Sequence, residues 1–172
     1  RNCLQKLPKE MGILTNLRTL YLYDNALKSF PEELSLLTNL EELTLNSNRF
    51  NTFPKDICQL TKLRIIGLDH NGLKSIIPEI SLLTNLYILH LNNNKIKSLP
   101  TTISQLTKLQ YLYLNNNKLI NLIPEIGLLT GLKHLYLHDN QIKSLPHKIA
   151  QLTRLLDFTI ISEHDPFKGG YL

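Results

Sequence analysis

Leu86-Tyr-Ile-Leu-His-Leu-Asn-Asn-Asn-Lys-Ile-Lys-Ser-Leu-Pro-Thr-Thr-Ile-Ser-Gln-Leu-Thr-Lys108 is a 23-residue stretch that the chain uses again and again. Its first leucine has counterparts at Leu17, Leu40, Leu63, Leu109, Leu132 and Leu155, so that with Leu86 included each lies 23 residues after the one before. Three positions on stand Leu20, Leu43, Ile66, Leu89, Leu112, Leu135 and Phe158, and five on stand Leu22, Leu45, Leu68, Leu91, Leu114, Leu137 and Ile160. Eight on stand Asn25, Asn48, Asn71, Asn94, Asn117 and Asn140. An aliphatic residue or Phe follows (Leu27, Phe50, Leu73, Ile96, Leu119, Ile142), then a Pro and two more apolar residues. Asn2, Leu4, Leu7, Pro8, Met11 and Leu14 fill the matching slots of an earlier copy. A fixed period of this length marks a solenoid, in which each unit buries its apolar face against the next. The chain divides into a partial repeat 1–16, repeats 17–39, 40–62, 63–85, 86–108, 109–131 and 132–154, and a degenerate end 155–172, all in one domain.

Each slot has a physical reading. Leu20-Tyr21-Leu22 alternates, so the leucines point to one face of a short strand and Tyr21 to the other. Strands stacked in register make a parallel sheet with its leucine face inward. The Asn stands where the chain leaves the strand, and its amide can bond backbone groups that a turn leaves unpaired. Six such residues are expected to form a buried ladder. Thr15, Thr38, Thr61, Thr84, Thr107, Thr130 and Thr153, two before each lead leucine, are expected to form a second one. The return segment, as in Ser29-Phe30-Pro31-Glu32-Glu33-Leu34, is too short for long α-helix and reads as a 3₁₀ or irregular turn, with Ser29 and Glu32 at capping-box spacing. Being bulkier than the strands, this layer must bend the stack, with the sheet on the concave side.

Two irregularities interrupt the pattern. Leu36, Leu82 and Leu128 alternate with Gln59, Gln105 and Gln151 in one slot, which suggests a doubled unit of 46 residues. Pro78 and Pro124 come one residue later than the prolines of the other copies, which suggests a local rearrangement there. After Leu155 the pattern decays, and Phe167 or Tyr171 is expected to cover the last repeat's leucines.

Composition narrows the function. In 172 residues, 42% hydrophobic, no run approaches the roughly 18 apolar residues of a membrane helix. The chain opens inside a repeat, so a preceding segment is expected. The formal charge of +5 could suggest nucleic acid, but Lys28, Lys74, Lys97 and Lys143 share one slot on the chain leaving the sheet, with no aromatics interleaved. That row reads as a solvated edge and not as a nucleic-acid stripe. Cys3 and Cys58 fall in unrelated slots, too far apart along the solenoid to bridge. No N-x-S/T sequon occurs. With the absence of Cys-rich ends, this favours a reducing compartment or a bacterial origin.

The consensus N-x-L-x-x-L-P-x-x-I-x-x-L-T-x-L-x-x-L-x-L-x-x-N, over residues 2 to about 160, resembles the 23-residue leucine-rich repeats with an L-P-x-x-I signature. The resemblance implies an α/β leucine-rich-repeat solenoid: a curved horseshoe with a parallel concave β-sheet and short 3₁₀ or irregular convex turns. It is shared by intracellular Ras-pathway and cell-polarity scaffolds and by bacterial effectors. In both groups it implies binding of another protein on the concave face, with no cofactor. The wealth of Asn, Ile and Lys, with no Trp and one Met, suits an AT-rich genome and tilts the expectation toward an effector. A cytoplasmic chain, or one secreted by a bacterium into a host cell to act on a host protein as a monomer, is the resulting picture. A substrate-recognition arm of a larger enzyme and a cell-surface adhesion protein are the alternatives.

The variable strand positions hold the candidate site. Two after the lead leucine the column reads Thr19, Glu42, Ile65, Ile88, Tyr111, His134, Asp157. Four after it reads Tyr21, Thr44, Gly67, His90, Tyr113, Tyr136, Thr159, and six after it reads Tyr23, Asn46, Asp69, Asn92, Asn115, His138, Ile161. Five of the seven tyrosines and three of the six histidines fall in these slots. They are densest at Ile88, His90, Tyr111, Tyr113, His134, Tyr136 and His138, the expected partner-binding patch, because large, stiff rings with polar tips favour interfaces. No catalytic or metal-ligating set is expected. His134 and His138 stand about 13 Å apart along a strand, too far to share an ion. Ser162-Glu163-His164-Asp165 holds hydrolase residue types without the geometry of a triad and reads as a capping loop.

Overall fold

The computed structural model describes residues 2–161. The Ser162–Asp165 segment and the expected cover by Phe167 or Tyr171 lie outside them. Seven strands, β1 (Thr19–Tyr21), β2 (Glu42–Thr44), β3 (Ile65–Gly67), β4 (Ile88–His90), β5 (Tyr111–Tyr113), β6 (His134–Tyr136) and β7 (Asp157–Thr159), form one parallel sheet in chain order. Every pairing is in register at the repeat offset, as in Leu43↔Ile66, Leu89↔Leu112 and Leu112↔Leu135. Residues of one sequence column therefore become neighbours in one row across the sheet.

Opposite the sheet run seven 3₁₀ turns: Lys9–Ile13, Glu32–Leu36, Lys55–Gln59, Pro78–Leu82, Thr101–Gln105, Pro124–Leu128 and His147–Gln151. Their starts keep the same 23-residue step. The structure corrects the expected rearrangement at the late prolines. In five copies Pro stands just before the turn, whereas Pro78 and Pro124 occupy its first position. Both places suit a fixed φ and a missing N–H, so the shift leaves the turn's bounds unchanged. The capping box of Ser29 and Glu32 is likewise not formed: Pro31 takes the cap position and no side chain bonds there.

Between the two layers lies the core, a continuous file of leucines and isoleucines that includes Phe30, Phe50 and Phe53. The central residues of β2 to β6, Leu43, Ile66, Leu89, Leu112 and Leu135, are fully buried. Solenoid curvature follows from the two layers: strands stack about 4.8 Å apart, and the turns behind them need more room.

Three residues after each of β1 to β6 comes a left-handed residue: Asp24, Ser47, His70, Asn93, Asn116 and Asp139 have φ between 50° and 56°. None is glycine. Short polar side chains tolerate that region best among residues with a Cβ, which accounts for the types found. The ladder Asn follows at once. Asn94 shows the pattern: its Nδ2 donates to the carbonyls of Leu68 (2.9 Å) and Leu91 (3.1 Å), and its Oδ1 accepts the Leu73 N–H (3.0 Å). Asn48, Asn94 and Asn117 are buried, while Asn25, Asn71 and Asn140 are half-buried.

A second ladder exists, but not as the sequence suggests. The seven threonines are exposed. The carbonyls of Thr15 and Thr61 accept the side-chain amides of Asn39 (2.9 Å) and Asn85 (3.0 Å). Asn39 and Asn85 in turn accept from the ammonium groups of Lys62 and Lys108, both at 2.7 Å. From Asn39 to Lys108 asparagine and lysine alternate in this slot, which Asn16 precedes and Gly131 and Arg154 follow. Leu36, Leu82 and Leu128 of the Leu/Gln slot are exposed on the convex side.

Cys3 is exposed and Cys58 buried, and both are free. Burial pushes the Cys58 thiol up to about 12, helped by Glu79 and Asp56, which keeps it protonated and unreactive.

Candidate functional site

The concave face is built from the columns that flank each buried strand leucine. In-register pairing sets Ile88 beside Tyr111 and Tyr111 beside His134, and sets His90 beside Tyr113 and Tyr113 beside Tyr136. Strand spacing then brings the rings to stacking distance. The centroids of His90 and Tyr113 lie 4.4 Å apart with planes 12° from parallel, and those of Tyr113 and Tyr136 lie 4.8 Å apart at 7°. In the neighbouring row Tyr111 and His134 stack at 4.5 Å and 5°. All six of these residues, with Ile88 counted and His138 added as a seventh, are half-buried. His138 stands in the third column and joins neither stack; its Nδ1 is buried with no hydrogen bond among the described residues.

Stacking fixes what the patch offers. Ring faces are largely spent on each other, which leaves ring edges and hydroxyls to meet a partner, while the Nδ1 atom of His134, like that of His138, is buried without a hydrogen bond among the described residues. Parallel strands hold them with little freedom, so covering them costs little side-chain entropy.

Carboxylates border the rows. The Tyr136 hydroxyl donates to Asp157 Oδ2 (2.9 Å), and desolvation followed by that bond pushes its pKa up to about 12. His134 Nδ1 lies 3.7 Å from the same oxygen, an ion pair when the imidazole is protonated. The other end repeats the motif, with the Tyr21 hydroxyl donating to Glu42 Oε2 at 3.0 Å. Between them, burial raises the Asp69 carboxyl and lowers the His90 imidazole, each opposed by the charge of the other. Asn46 Oδ1 and Asp69 Oδ1 are buried without hydrogen bonds among the described residues. Gly67 makes the space for the former, since a Cβ there would overlap Asn46 Oδ1.

The sequence reading missed a fourth column. Arg18, Glu41, Arg64, Tyr87, Gln110 and Lys133 come one residue after each lead leucine. Strict alternation hides them, because the lead leucine and the strand are out of phase at that point. Tyr87 nevertheless reaches the second row, its ring 5.5 Å from that of Tyr111. Two cavities open along this edge. One of about 420 Å³ is lined by Glu41, Lys62, Arg64, Asn85, Tyr87 and Lys108. The other, about 390 Å³, shares Glu41, Arg64 and Tyr87 with it and extends onto Ile65 and Ile88. The column's lack of any consensus residue was the available signal.

Among the described residues no group of three or more His, Cys, Asp or Glu is arranged to hold a metal ion, and no helix is long and apolar enough to cross a membrane. Lys28, Lys74, Lys97 and Lys143 are exposed, away from the rows of rings.

Comparison with known proteins agrees with this geometry. Family profiles described as leucine-rich repeats match residues 15–58, 61–119 and 131–152. No curated protein sequence matches the chain. Among solved structures, a leucine-rich-repeat protein of Leptospira interrogans is similar at 39% identity and a TM-score of 0.86, over 92% of this chain and 40% of that one. The leucine-rich-repeat ectodomain of the Arabidopsis thaliana membrane receptor kinase GASSHO1/SCHENGEN3, solved in complex with CASPARIAN STRIP INTEGRITY FACTOR 2, is similar at 32% identity and a TM-score of 0.83, over 93% of this chain and 20% of that one. An internalin from Listeria monocytogenes shares the fold, with a TM-score of 0.71 at 24% identity, over 88% of this chain and 50% of that one. The chain thus spans half or less of each of these proteins. Sequence period, sheet register, asparagine turns and all three profiles lead to one conclusion: the chain belongs to the leucine-rich-repeat proteins.

Proposed function

We propose that this chain is a protein-recognition module that docks a partner protein on its concave face, over His90, Tyr111, Tyr113, His134 and Tyr136. One observation carries the reading: these five side chains stack in two adjacent rows at 4.4–4.8 Å, held by the sheet register and not by a ligand. Such a surface loses water from ring edges on contact and keeps hydroxyls for hydrogen bonds, the make-up of an interface core. Ile88 continues the second row as an aliphatic rim, and His138 flanks the first. The complex formed by the similar plant ectodomain supports recognition as the use of such a chain. Likeness to the Leptospira protein supports a bacterial chain, and the finer reading is that its partner is a host protein.

A partner isolated by affinity capture and identified by mass spectrometry, then titrated by calorimetry, tests the site. Tyr113→Ala and Tyr136→Ala are each expected to weaken binding by about 1–3 kcal/mol while leaving the denaturation midpoint nearly unchanged. Lys28→Ala, on the edge where the chain leaves the sheet, is expected to change affinity by less than about 0.5 kcal/mol. Undiminished binding by the Tyr113/Tyr136 double variant would move the site elsewhere.

A further inference from the structure

We infer that the cavity at the strand-entry edge, lined by Lys62, Arg64, Tyr87 and Lys108, is an anion-receiving subsite that takes an acidic side chain of the protein docked on the concave face. The inference deepens the proposed function, on which it rests for the partner being a protein.

Three cations converge on one cavity whose only carboxylate, Glu41, is already engaged by Arg18 at 3.4 Å. Lys62 and Lys108 stand two repeats apart, about 10 Å at the strand spacing. Their ammonium groups are fixed in place by the carbonyl oxygens of Asn39 and Asn85 at 2.7 Å. Each uses one of three donors in that bond, so two remain for a ligand. Arg64, two residues after Lys62 and lining the same cavity, is exposed, and its guanidinium makes no hydrogen bond or ion pair among the described residues. Its planar fork suits a carboxylate bidentately. The asparagine–lysine alternation thus does more than brace the edge: it presents two oriented ammonium groups beside a free guanidinium.

Position ties this cavity to the aromatic patch. Tyr87 is one of its walls, and the Tyr87 ring lies 5.5 Å from Tyr111. The adjoining cavity, which shares Arg64 and Tyr87, reaches Ile65 and Ile88 on the sheet. A segment lying across β4 to β6 therefore has its end over the cations. The face itself argues against a polyanion. Glu42, Asp69 and Asp157 lie on the columns that a nucleic acid strand would cross, and no Lys or Arg occurs in those columns. The cations serve one local negative group, flanked by apolar or aromatic residues.

Selection from a random peptide library of about twelve residues displayed on phage, against the whole chain, tests this. The peptides recovered are expected to be enriched in Asp or Glu next to an aromatic or aliphatic residue. Replacing their acids with Asn or Gln should weaken binding about tenfold or more, the factor expected when a charge-assisted bond is lost. Arg64→Glu should do the same, Arg64→Lys should weaken binding less, since it keeps the charge and loses the bidentate fork, and Lys74→Glu, an equal charge change on the other edge, should have little effect. The Arg64 side chain is exposed and bonds to none of the described residues, so its variants are expected to fold. Selected peptides that depend on Tyr113 and Tyr136 but show no acid enrichment and ignore Arg64→Glu would overturn the subsite and leave the proposed function standing. Acidic peptides that depend on Arg64 and ignore Tyr113 and Tyr136 would do the reverse. Tighter binding of a single-stranded RNA oligonucleotide than of any peptide, abolished by Arg64→Glu, would also overturn the inference.

Discussion

Asn94→Ala is expected to destabilise the chain by about 2–3 kcal/mol, and the double variant Asn71→Ala/Asn94→Ala by more than the two single losses added together. The reason lies in how the ladder shares its acceptors. Asn94 Oδ1 is the partner of the Leu73 N–H, and alanine leaves that buried donor unpaired. Its Nδ2 contacts the Leu68 carbonyl at 2.9 Å, but Asn71 Nδ2 reaches the same carbonyl at 3.2 Å. The Leu91 carbonyl is shared in the same manner between Asn94 (3.1 Å) and Asn117 (2.9 Å). A single substitution therefore orphans one N–H and leaves each carbonyl with a remaining partner, which keeps the cost toward the lower part of what several lost bonds would suggest. Removing Asn71 as well strips the Leu68 carbonyl of both amides. A coupling of about 1 kcal/mol is expected for this pair and close to none for Asn48 with Asn117, which share no carbonyl. Urea titration of the four single and two double variants measures both terms. Additivity in the adjacent pair would mean that the carbonyls find water in the gap.

The arrangement explains why some of this was legible in the sequence and some was not. A period of 23 with leucines at fixed offsets carries the sheet, its register and the inward face, because those depend only on which residues recur. Asn at the end of each strand announced a turn for the same reason. What stayed hidden depends on where a side chain points once the copies are stacked. The residue before each Asn varies among Asp, Ser, His and Asn, so nothing marks it as left-handed until φ is seen. The threonines recur at every copy and yet lend only backbone carbonyls, while the bonds are made by asparagines and lysines that occur in alternate copies. Ser29 and Glu32 have capping-box spacing, but Pro31 at the cap position decides the local geometry instead.

The candidate site divides in the same way. Columns of Tyr and His could be read from the sequence, and with them the neighbourhood of His90, Tyr113 and Tyr136. That the rings would stack face to face, and so offer edges in place of faces, depends on side-chain rotamers that no column reveals. Tyr87 and Arg64 were passed over because the two-residue alternation of the strand does not extend back to them. Asp157, read from the sequence only as the last member of its column, accepts from Tyr136.

Phe50→Ala is expected to have the largest effect of all, about 3–5 kcal/mol, and to change the form of the unfolding transition as well as its midpoint. Phe50 is the bulkiest of the fully buried side chains, 1% exposed, and sits in the file that includes Leu27 and Leu73, both 0% exposed. Its backbone N–H is already held by Asn71 Oδ1 at 3.0 Å, so the chain cannot easily close in on the cavity that alanine would leave. In a globular domain such a loss would lower the stability of the whole. Here each copy contacts its neighbours in sequence and little else, so stability is a sum of unit and interface contributions along one axis. A void at Phe50 falls on the contacts between the copies that carry β1, β2 and β3. The part of the chain before it is expected to unfold first, while the copies carrying β4 to β6 keep their structure. Hydrogen exchange in mild denaturant would read this directly. The amides of Leu22 and Leu45, which bond the Thr44 and Gly67 carbonyls at 2.8 and 2.7 Å, should lose protection in the variant. Those of Leu91 and Leu114, which bond Tyr113 and Tyr136 at 2.9 Å, should keep it. Equal loss at all four amides would mean that the solenoid unfolds as one unit despite its one-dimensional contacts.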